Sequence, residues 1–474
     1  MGSISTAQKA LQLRLHPSER RVILIIGDLI AACLALAIAL FFWGQRDWLD
    51  FSFEFLQQRI PPWFFVLPVL WIILNVEMYD VRRASRRADT VKGVAIAAGI
   101  SLFLYLGLFF LLSGPEAPLP RRGALIFIVA TSATTLIWRF AYIQVFTAAE
   151  FMRRVLVVGA GRAGTTLVRV VKDTWPAPFH LIGFIDDDPH KCHTMIEGVP
   201  VLGNCHDIQQ VIETHNITDI FFAISNDLHD DMFQALLEAE EQGVEVTTMP
   251  LAYENLLGRV PIFLLRSDWI LRSFVDQVHS GSGLYEAGKR LLDIVGGLAG
   301  VVGLLILLPF IAIAIMIESG RPVLYTQARM GKNGKEYTII KLRTMRPPFD
   351  KSGRILTDAE RITRVGRILR KSHLDELPQV INVLRGEMSL VGPRAEISQL
   401  VTDLQFKVPF YRARLLVKPG LTGWAQVNYG YASTVEETAV KLEYDLYYIK
   451  HRNLLLDIVI MLRTVGTVIG LRGQ

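Results

Sequence analysis

The sequence predicts a multidomain membrane protein: a four-helix transmembrane bundle, an α/β Rossmann-like domain, and a mainly α C-terminal domain approached through a further apolar helix. Three observations predict it. Hydrophobic residues make up 51% of the 474 and charged residues 20%, more apolar than a water-soluble chain needs. Four apolar stretches, about Val22 to Trp43, Pro62 to Tyr79, Gly93 to Ser113 and Gly123 to Phe146, are each near the roughly 20 residues that cross a hydrocarbon core. After them, short buried-strand runs alternate with helical patterns, opening on a glycine-rich turn. The chain accordingly divides into a transmembrane domain, 1–150, a Rossmann-like nucleotide-binding-type module, 151–265, a linker, 266–284, and a C-terminal domain, 285–474.

Basic residues orient the bundle. Arg14, Arg20 and Arg21 precede the first span, Arg82, Arg83, Arg86, Arg87 and Lys92 fill the second connection, and Arg153 and Arg154 follow the fourth span. The other two connections carry two arginines each, Arg46 with Arg59 and Arg121 with Arg122. Both ends of the bundle are therefore expected on the cytoplasmic side. Ala37 and Ala39 imitate a signal-peptide cleavage site, but the apolar run continues through Phe41, Phe42 and Trp43, so the first span stays as an anchor. Asp28 is the awkward charge inside it, expected either to pair with a polar group of a neighbouring helix or to reach the interface. A formal charge of +5 and a pI near 9.0 do not argue for nucleic acid, because the arginines cluster beside apolar runs as topology signals. Cys33, Cys192 and Cys205 lie far apart without a CxxC, which excludes a disulfide framework or a zinc site.

The strand run Val155 to Val158 leads into Gly159-Ala160-Gly161-Arg162-Ala163-Gly164, which opens a helix. A second strand ends at Ile185, with Asp186 where a ribose-binding acid is expected. Gly159, Gly161, Gly164 and Asp186 are thus the candidate cofactor-binding residues, with the ligand open. The glycines serve a tight turn and close helix packing equally well, and the module can instead act only in forming a homodimer. Asp186, Asp187 and Asp188 have no Tyr-Lys or Ser-His-Asp arrangement nearby, so the catalytic centre is expected elsewhere. A fragment starting near Gly283 is accordingly expected to keep some activity.

The linker holds Ser280-Gly281-Ser282-Gly283 and precedes a fifth apolar run, Ile294 to Ile317, long enough to span. Its flanks are basic on both sides: Lys289 and Arg290 before, Arg321, Arg329, Lys332 and Lys335 after. Pro309 removes a helix hydrogen bond inside the run and permits a kink. The helix 291–317 is therefore expected to be re-entrant, entering and leaving through one leaflet with its break at Pro309. Near the C-terminus, Leu454 to Leu462 is interrupted by Asp457 and followed by Arg463, which suits an interfacial or core helix better than a span.

The most informative stretch is Ser372-His373-Leu374-Asp375-Glu376-Leu377-Pro378-Gln379, followed by Val391-Gly392-Pro393-Arg394. Pro378 is tolerated only in a first turn, which puts Asp375 and Glu376 at a helix start, where the dipole favours ionised carboxylates. An isolated Asp-Glu pair most often only caps a surface helix. The surroundings change that. Lys289-Arg290 with Asp293, Gln327 through Lys335, Lys341-Leu342-Arg343-Thr344-Met345, Arg361 through Gly366, and Lys418-Pro419-Gly420-Leu421-Thr422-Gly423-Trp424-Ala425-Gln426-Val427-Asn428 stand in one order with it. From about Lys289 to the C-terminus the chain resembles the monotopic polyprenyl-phosphate phosphoglycosyl transferases, in their large form with four N-terminal membrane helices and a Rossmann-like module. Two departures are visible: His373 where Ser is usual before Leu-Asp-Glu, and Ala395 where Pro usually follows Gly-Pro-Arg.

The resemblance implies a mainly α catalytic domain with a re-entrant membrane helix, on the cytoplasmic face of a bacterial inner membrane. It implies transfer of a hexose 1-phosphate from a UDP-sugar to undecaprenyl phosphate, with release of UMP, in exopolysaccharide, capsule or O-antigen synthesis. Glucose or galactose is favoured over an acetamido sugar. Asp375 is then the nucleophile that forms an aspartyl-phosphosugar, and Glu376 helps hold Mg2+, with Asp375, or activates the lipid phosphate. Arg394 is the phosphate fork, and Arg343 extends the phosphate-binding surface or meets a lipid headgroup. Two other classes compete. Tyr337 and Lys341 form a Tyr-x-x-x-Lys pair suited to an NAD-dependent nucleotide-sugar dehydratase, but the β-branched Thr338-Ile339-Ile340 between them reads as a strand. A non-enzymatic polysaccharide-assembly regulator would make both acids dispensable.

Overall fold

A computed structural model describes residues 17–79, 84, 86–112, 121–146, 153–174, 179–224, 229–264, 283–349, 354–430, 432 and 434–469. Most of the expected linker, and Arg82 and Arg83, lie outside them. The chain forms two compact units, Met1–Ile224 with Leu228–Thr247, and Ser225–Asp227 with Thr248–Gln474.

In the first unit, three helices are long and apolar enough to cross a membrane: α1 (Pro17–Gly44), α3 (Arg87–Leu112) and α4 (Arg121–Phe146). The second expected span differs. It is a 3-10 turn (Pro62–Val66), a short helix α2 (Leu67–Leu74) and another 3-10 turn (Val76–Tyr79). Pro62 and Pro68 lack N–H donors, and the Asn75 side chain donates to the Trp71 carbonyl at 3.0 Å, competing with the helix ladder. Helices α1 and α4 approach closely because Gly27 has no Cβ; one there would stand 2.0 Å from the Trp138 ring. Of the two expectations for Asp28, pairing holds: Arg139 donates to it at 2.6 Å, and both side chains are buried. Arg139 also reaches the Met78 carbonyl and lies over the Tyr79 ring.

The same unit carries a six-stranded sheet in the order β3-β4-β2-β1-β5-β6. Its strands are β1 (Arg154–Val158), β2 (His180–Ile185), β3 (Met195–Ile196), β4 (Val199–Gly203), β5 (Asp219–Phe222) and β6 (Glu245–Thr248). Strand β1, apolar and buried from Val155 to Val158, is central and parallel to both β2 and β5, with α5 (Arg162–Asp173) making the first crossover.

The second unit begins with α6 (Met249–Leu257), followed by α7 (Gly283–Ser319), which runs unbroken through Pro309. The proline deprives the Leu305 carbonyl of its helix donor without ending the helix. A hairpin follows, β7 (Leu324–Met330) antiparallel to β8 (Glu336–Leu342). Next come α8 (Arg364–Lys371), a 3-10 helix (Leu374–Gln379) and α9 (Val380–Arg385). Strands β9 (Ser389–Val391) and β10 (Gly420–Thr422) pair in parallel. Helices α10 (Val435–His451) and α11 (Leu454–Ile469) close the core around Val391, Leu404, Tyr411, Leu446 and Tyr448. Helix α11 is a core helix. Asp457 is fully buried and accepts from Lys289 at 2.9 Å and from the Tyr448 hydroxyl at 2.8 Å.

Candidate active site

Asp375 and Glu376 sit in the first turn of the 3-10 helix, entered through His373 in a left-handed conformation (φ 57°) without a side-chain cap. Pro378 falls inside this helix and the α-helix starts only at Val380. The turn is held from below by Leu374, packed with Ile315, Leu342 and Leu369, and from the side by Asn382, which donates to the Thr338 carbonyl of β8 at 2.8 Å. That contact sets β8 beside the acids. The Lys341 ammonium donates to Glu376 Oε1 at 2.6 Å.

Arg394 arrives from the other side. Ser389 and Val391 pair with Gly420 and Thr422, and Gly392 N donates to the Thr422 carbonyl at 2.9 Å. A Cβ on Gly392 would stand 2.4 Å from the Lys418 carbonyl, so this close approach requires glycine. The two sequence blocks are therefore one structural element. Arg414, itself paired with Asp445 at 2.8 Å, donates to the Arg394 carbonyl at 3.1 Å. The Arg394 guanidinium then grips Glu376, Nη2 to Oε1 at 2.7 Å and Nη1 to Oε2 at 3.4 Å.

The two carboxyls are driven apart. Burial raises Asp375, the neighbouring Glu376 charge raises it further, and Lys341, Arg370 and His373 oppose them; the net direction is up. This runs against the direction a helix N-terminus would give, because the turn is short and the side chain is buried. Burial alone would raise Glu376 too, but Arg394 and Lys341 outweigh it and hold that carboxyl at about 2. Glu396 is similarly held at about 2: burial pushes it up, while Arg414 and Lys441 pull it down.

Asp375, Glu376 and Arg394 line a cleft of about 980 Å³ with nine Lys or Arg side chains against four Asp or Glu, counted from its lining. Arg343 lines it too, but its guanidinium donates to the carbonyls of Ser319, Arg321 and Met345 at 2.9 to 3.1 Å. It anchors the exit from α7 to β8. Glu376 fits a metal poorly, since Oε1 already accepts from two cations. Of the pair, Asp375 is the acid that could hold a hard cation such as magnesium. Among the described residues no group of three or more His, Cys, Asp or Glu gathers.

Lys341 and Tyr337 do not make a dehydratase pair. Lys341 belongs to Glu376, and the buried Tyr337 hydroxyl has no hydrogen-bond partner among the described residues. Lys341 is the partner of the acid pair that motif reasoning missed. Its signal was the strand alternation Tyr337, Ile339, Lys341, which puts a lysine on the face of a buried isoleucine. In the Rossmann-like module, a Cβ on Gly164 would stand 1.9 Å from the Gly159 carbonyl, so this glycine serves helix packing. Asp186 turns inward: it accepts from Ala160 N of the glycine loop at 2.7 Å and from Lys191 at 3.1 Å. Gly161 has open space above it.

An acid pair with one member braced by cations, in a basic cleft on a unit with a long apolar helix, is the arrangement of a membrane-associated protein. The chain belongs to the bacterial sugar transferase family, whose family model matches residues 284–470, while a model described as a CoA-binding domain matches 74–250. It is 40% identical to a UDP-N-acetylgalactosamine-undecaprenyl-phosphate N-acetylgalactosaminephosphotransferase of Aeromonas hydrophila, over 46% of this chain and 50% of that one. It is 42% identical to a UDP-glucose:undecaprenyl-phosphate glucose-1-phosphate transferase of Caulobacter vibrioides, over 38% of this chain and 69% of that one. It is 26% identical to an undecaprenyl-phosphate glucose phosphotransferase of Komagataeibacter xylinus, over 95% of this chain and 84% of that one. The chain thus spans half the length of the Aeromonas relative.

Proposed function

We propose that this chain transfers a hexose 1-phosphate from a UDP-sugar to undecaprenyl phosphate at the cytoplasmic face of a bacterial inner membrane. The observation that carries the reading is the Asp375–Glu376 pair, with Glu376 gripped by Arg394 and Lys341, at a cleft whose excess of cations suits a diphosphate. In the first step an Asp375 oxygen attacks the phosphorus bearing the sugar, and the bond to the bridging oxygen breaks. UMP leaves with that oxygen and its electron pair, and an aspartyl phosphosugar remains. A lipid phosphate oxygen then attacks the same phosphorus, the bond to Asp375 breaks, and the carboxylate is restored. Glu376, held ionised, keeps Arg394 and Lys341 at the diphosphate. Magnesium, where bound, would be held by Asp375 with the substrate phosphates and would neutralise their charge.

Helix α7 is read as not crossing the bilayer. Elements of its own unit pack on one face of it at two levels: Leu384, Val380 and Leu390 on Gly296, Gly297 and Gly300, and Leu308, Ile311 and Ile315 with Val323, Val365 and Leu374. At its end Glu318 accepts from the backbone of Arg364 and Val365. The opposite face, including Leu291, Leu298, Val302, Leu305 and Phe310, is apolar and exposed. Contacts at both ends to one soluble body favour a helix seated in a single leaflet.

The test is a panel of UDP-sugars, hexoses and acetamidohexoses, given with undecaprenyl phosphate to the purified protein and read as UMP release. No UMP with any sugar would sink the reading in favour of the regulator class; unchanged release by an Asp375→Asn variant would take Asp375 out of the chemistry.

A further inference from the structure

The helix that ends the Rossmann-like stretch in sequence folds with the C-terminal unit. Helix α6 buries Met249, Ala252, Tyr253 and Leu256. The turn after it inserts Val260 and Ile262, 0% and 2% exposed, into the core that holds Val391, Leu404 and Tyr448. Its polar side is tied as firmly. Glu254, 1% exposed, accepts from Lys450 at 2.8 Å and contacts His451 Nε2 at 2.9 Å. A carboxylate so buried persists only when paired. Val260 N donates to the Glu443 carbonyl at 3.0 Å, and Arg259 lies 3.4 Å from the Glu443 carboxylate.

The end of α6 reaches the cleft wall. Gly258 takes a left-handed conformation, φ 63°, and its carbonyl accepts from the Trp424 indole N–H at 2.7 Å. A Cβ on Gly258 would crowd that ring at 3.2 Å. Trp424 is also stacked on Tyr447, and the Arg463 guanidinium lies 4.8 Å from its ring. It starts the short helix Trp424–Asn428, whose Gln426 lines the cleft. The Gln426 Oε1 is buried and has no hydrogen-bond partner among the described residues, an acceptor of the kind a nucleotide-sugar N–H or hydroxyl satisfies.

We infer that residues 249–262 are a strap that positions Trp424, and through it Gln426, for binding of the nucleotide sugar, so that the catalytic unit depends on chain upstream of the linker. The kinetic part of this rests on the transfer reading above; the association part does not. It revises the expectation that a fragment starting near Gly283 would suffice, because such a fragment leaves the sites of Val260 and Ile262 open and Trp424 without its acceptor.

The experiment uses the full-length protein with a protease site inserted between residues 270 and 282. After cleavage in detergent the two pieces should co-elute on gel filtration, and Val260→Asp should release them. In the uncleaved chain, Trp424→Phe, which keeps an aromatic ring and loses the donor, should raise KM for the UDP-sugar about fivefold, the worth of one neutral hydrogen bond, with kcat within about twofold. Gly258→Val should raise it at least as much. Pieces that separate while the C-terminal one keeps the parental KM would overturn the strap, and so would Trp424→Phe and Gly258→Val chains with unchanged KM. Should the full chain release no UMP at all, the transfer reading fails while co-elution still decides the strap.

Discussion

Replacing Arg394 with alanine takes away the larger of the two cations that hold Glu376. That carboxyl stands at about 2 against an ordinary 4.5, after burial has pushed the other way. At about 1.4 kcal/mol per pH unit, the two cations together favour the folded, ionised form by roughly 3 kcal/mol. Arg394 is 35% exposed, so water screens its share, and about 2 kcal/mol should be lost with it. For a unit of this size that is a fall in Tm of about 3 to 8 °C at pH 7. Because the folded carboxyl is depressed, its stabilisation is present above the unfolded value near 4.5 and disappears as the pH falls through about 2. The gap between parent and Arg394→Ala should therefore be widest at neutral pH and narrow steadily below about pH 5. Arg394→Lys should recover part of it. Scanning calorimetry of the detergent-purified protein across that range is the assay, and a missing gap, or one of constant size at every pH, would refute the reasoning.

Three further outcomes follow from the same geometry. Asp375→Asn should abolish both UMP release from UDP-sugar alone and trapping of a radiolabelled sugar phosphate on the protein; a parent enzyme that needs both substrates before any UMP appears would point to direct attack by the lipid phosphate. Single cysteines at Lys289 and Lys335 should both resist an impermeant reagent added outside intact cells, and labelling at Lys335 alone would show a true span. Burial raises Glu443, beside the strap, to about 7 despite Arg259; its stabilising effect is full below about 4.5 and is lost as pH rises through about 7. Glu443→Gln should flatten the decline in stability between about pH 4.5 and 7, which reaches about 3 kcal/mol in the parent, and an identical slope of Tm against pH in both proteins would refute the assignment.

Hydropathy was enough to locate three helices long and apolar enough to cross a membrane, and glycine spacing the loop at Gly159, because those signals are local. Asp375, Glu376 and Arg394 were legible from adjacent motifs, yet their partner Lys341 was not, since a contact 35 residues apart depends on how β8 docks against the 3-10 helix. The prolines misled in two directions. Pro68 stands where a 3-10 turn gives way to a short helix that stops at Asn75, in a stretch whose hydropathy alone suggested one span, whereas Pro309 sits in a helix packed firmly enough along one face to continue through it. The dipole expected to favour ionised acids lost to burial at Asp375. Helix α6 looked like the last piece of the Rossmann pattern because periodicity reveals an apolar face without naming what covers it.

The Asp28–Arg139 pair has a consequence for how the protein is made. The partners are 111 residues apart, and ribosomes add about 5 to 20 residues per second. The carboxylate therefore enters the membrane roughly 6 to 20 seconds before its arginine exists, alone in a place where a lone acid costs about 2.5 to 3.5 kcal/mol. During that interval the first helix has either to sit shallow, with Asp28 near the headgroups, or to be sheltered by the insertion machinery. Settling into the bilayer is then an event timed by synthesis of the fourth helix.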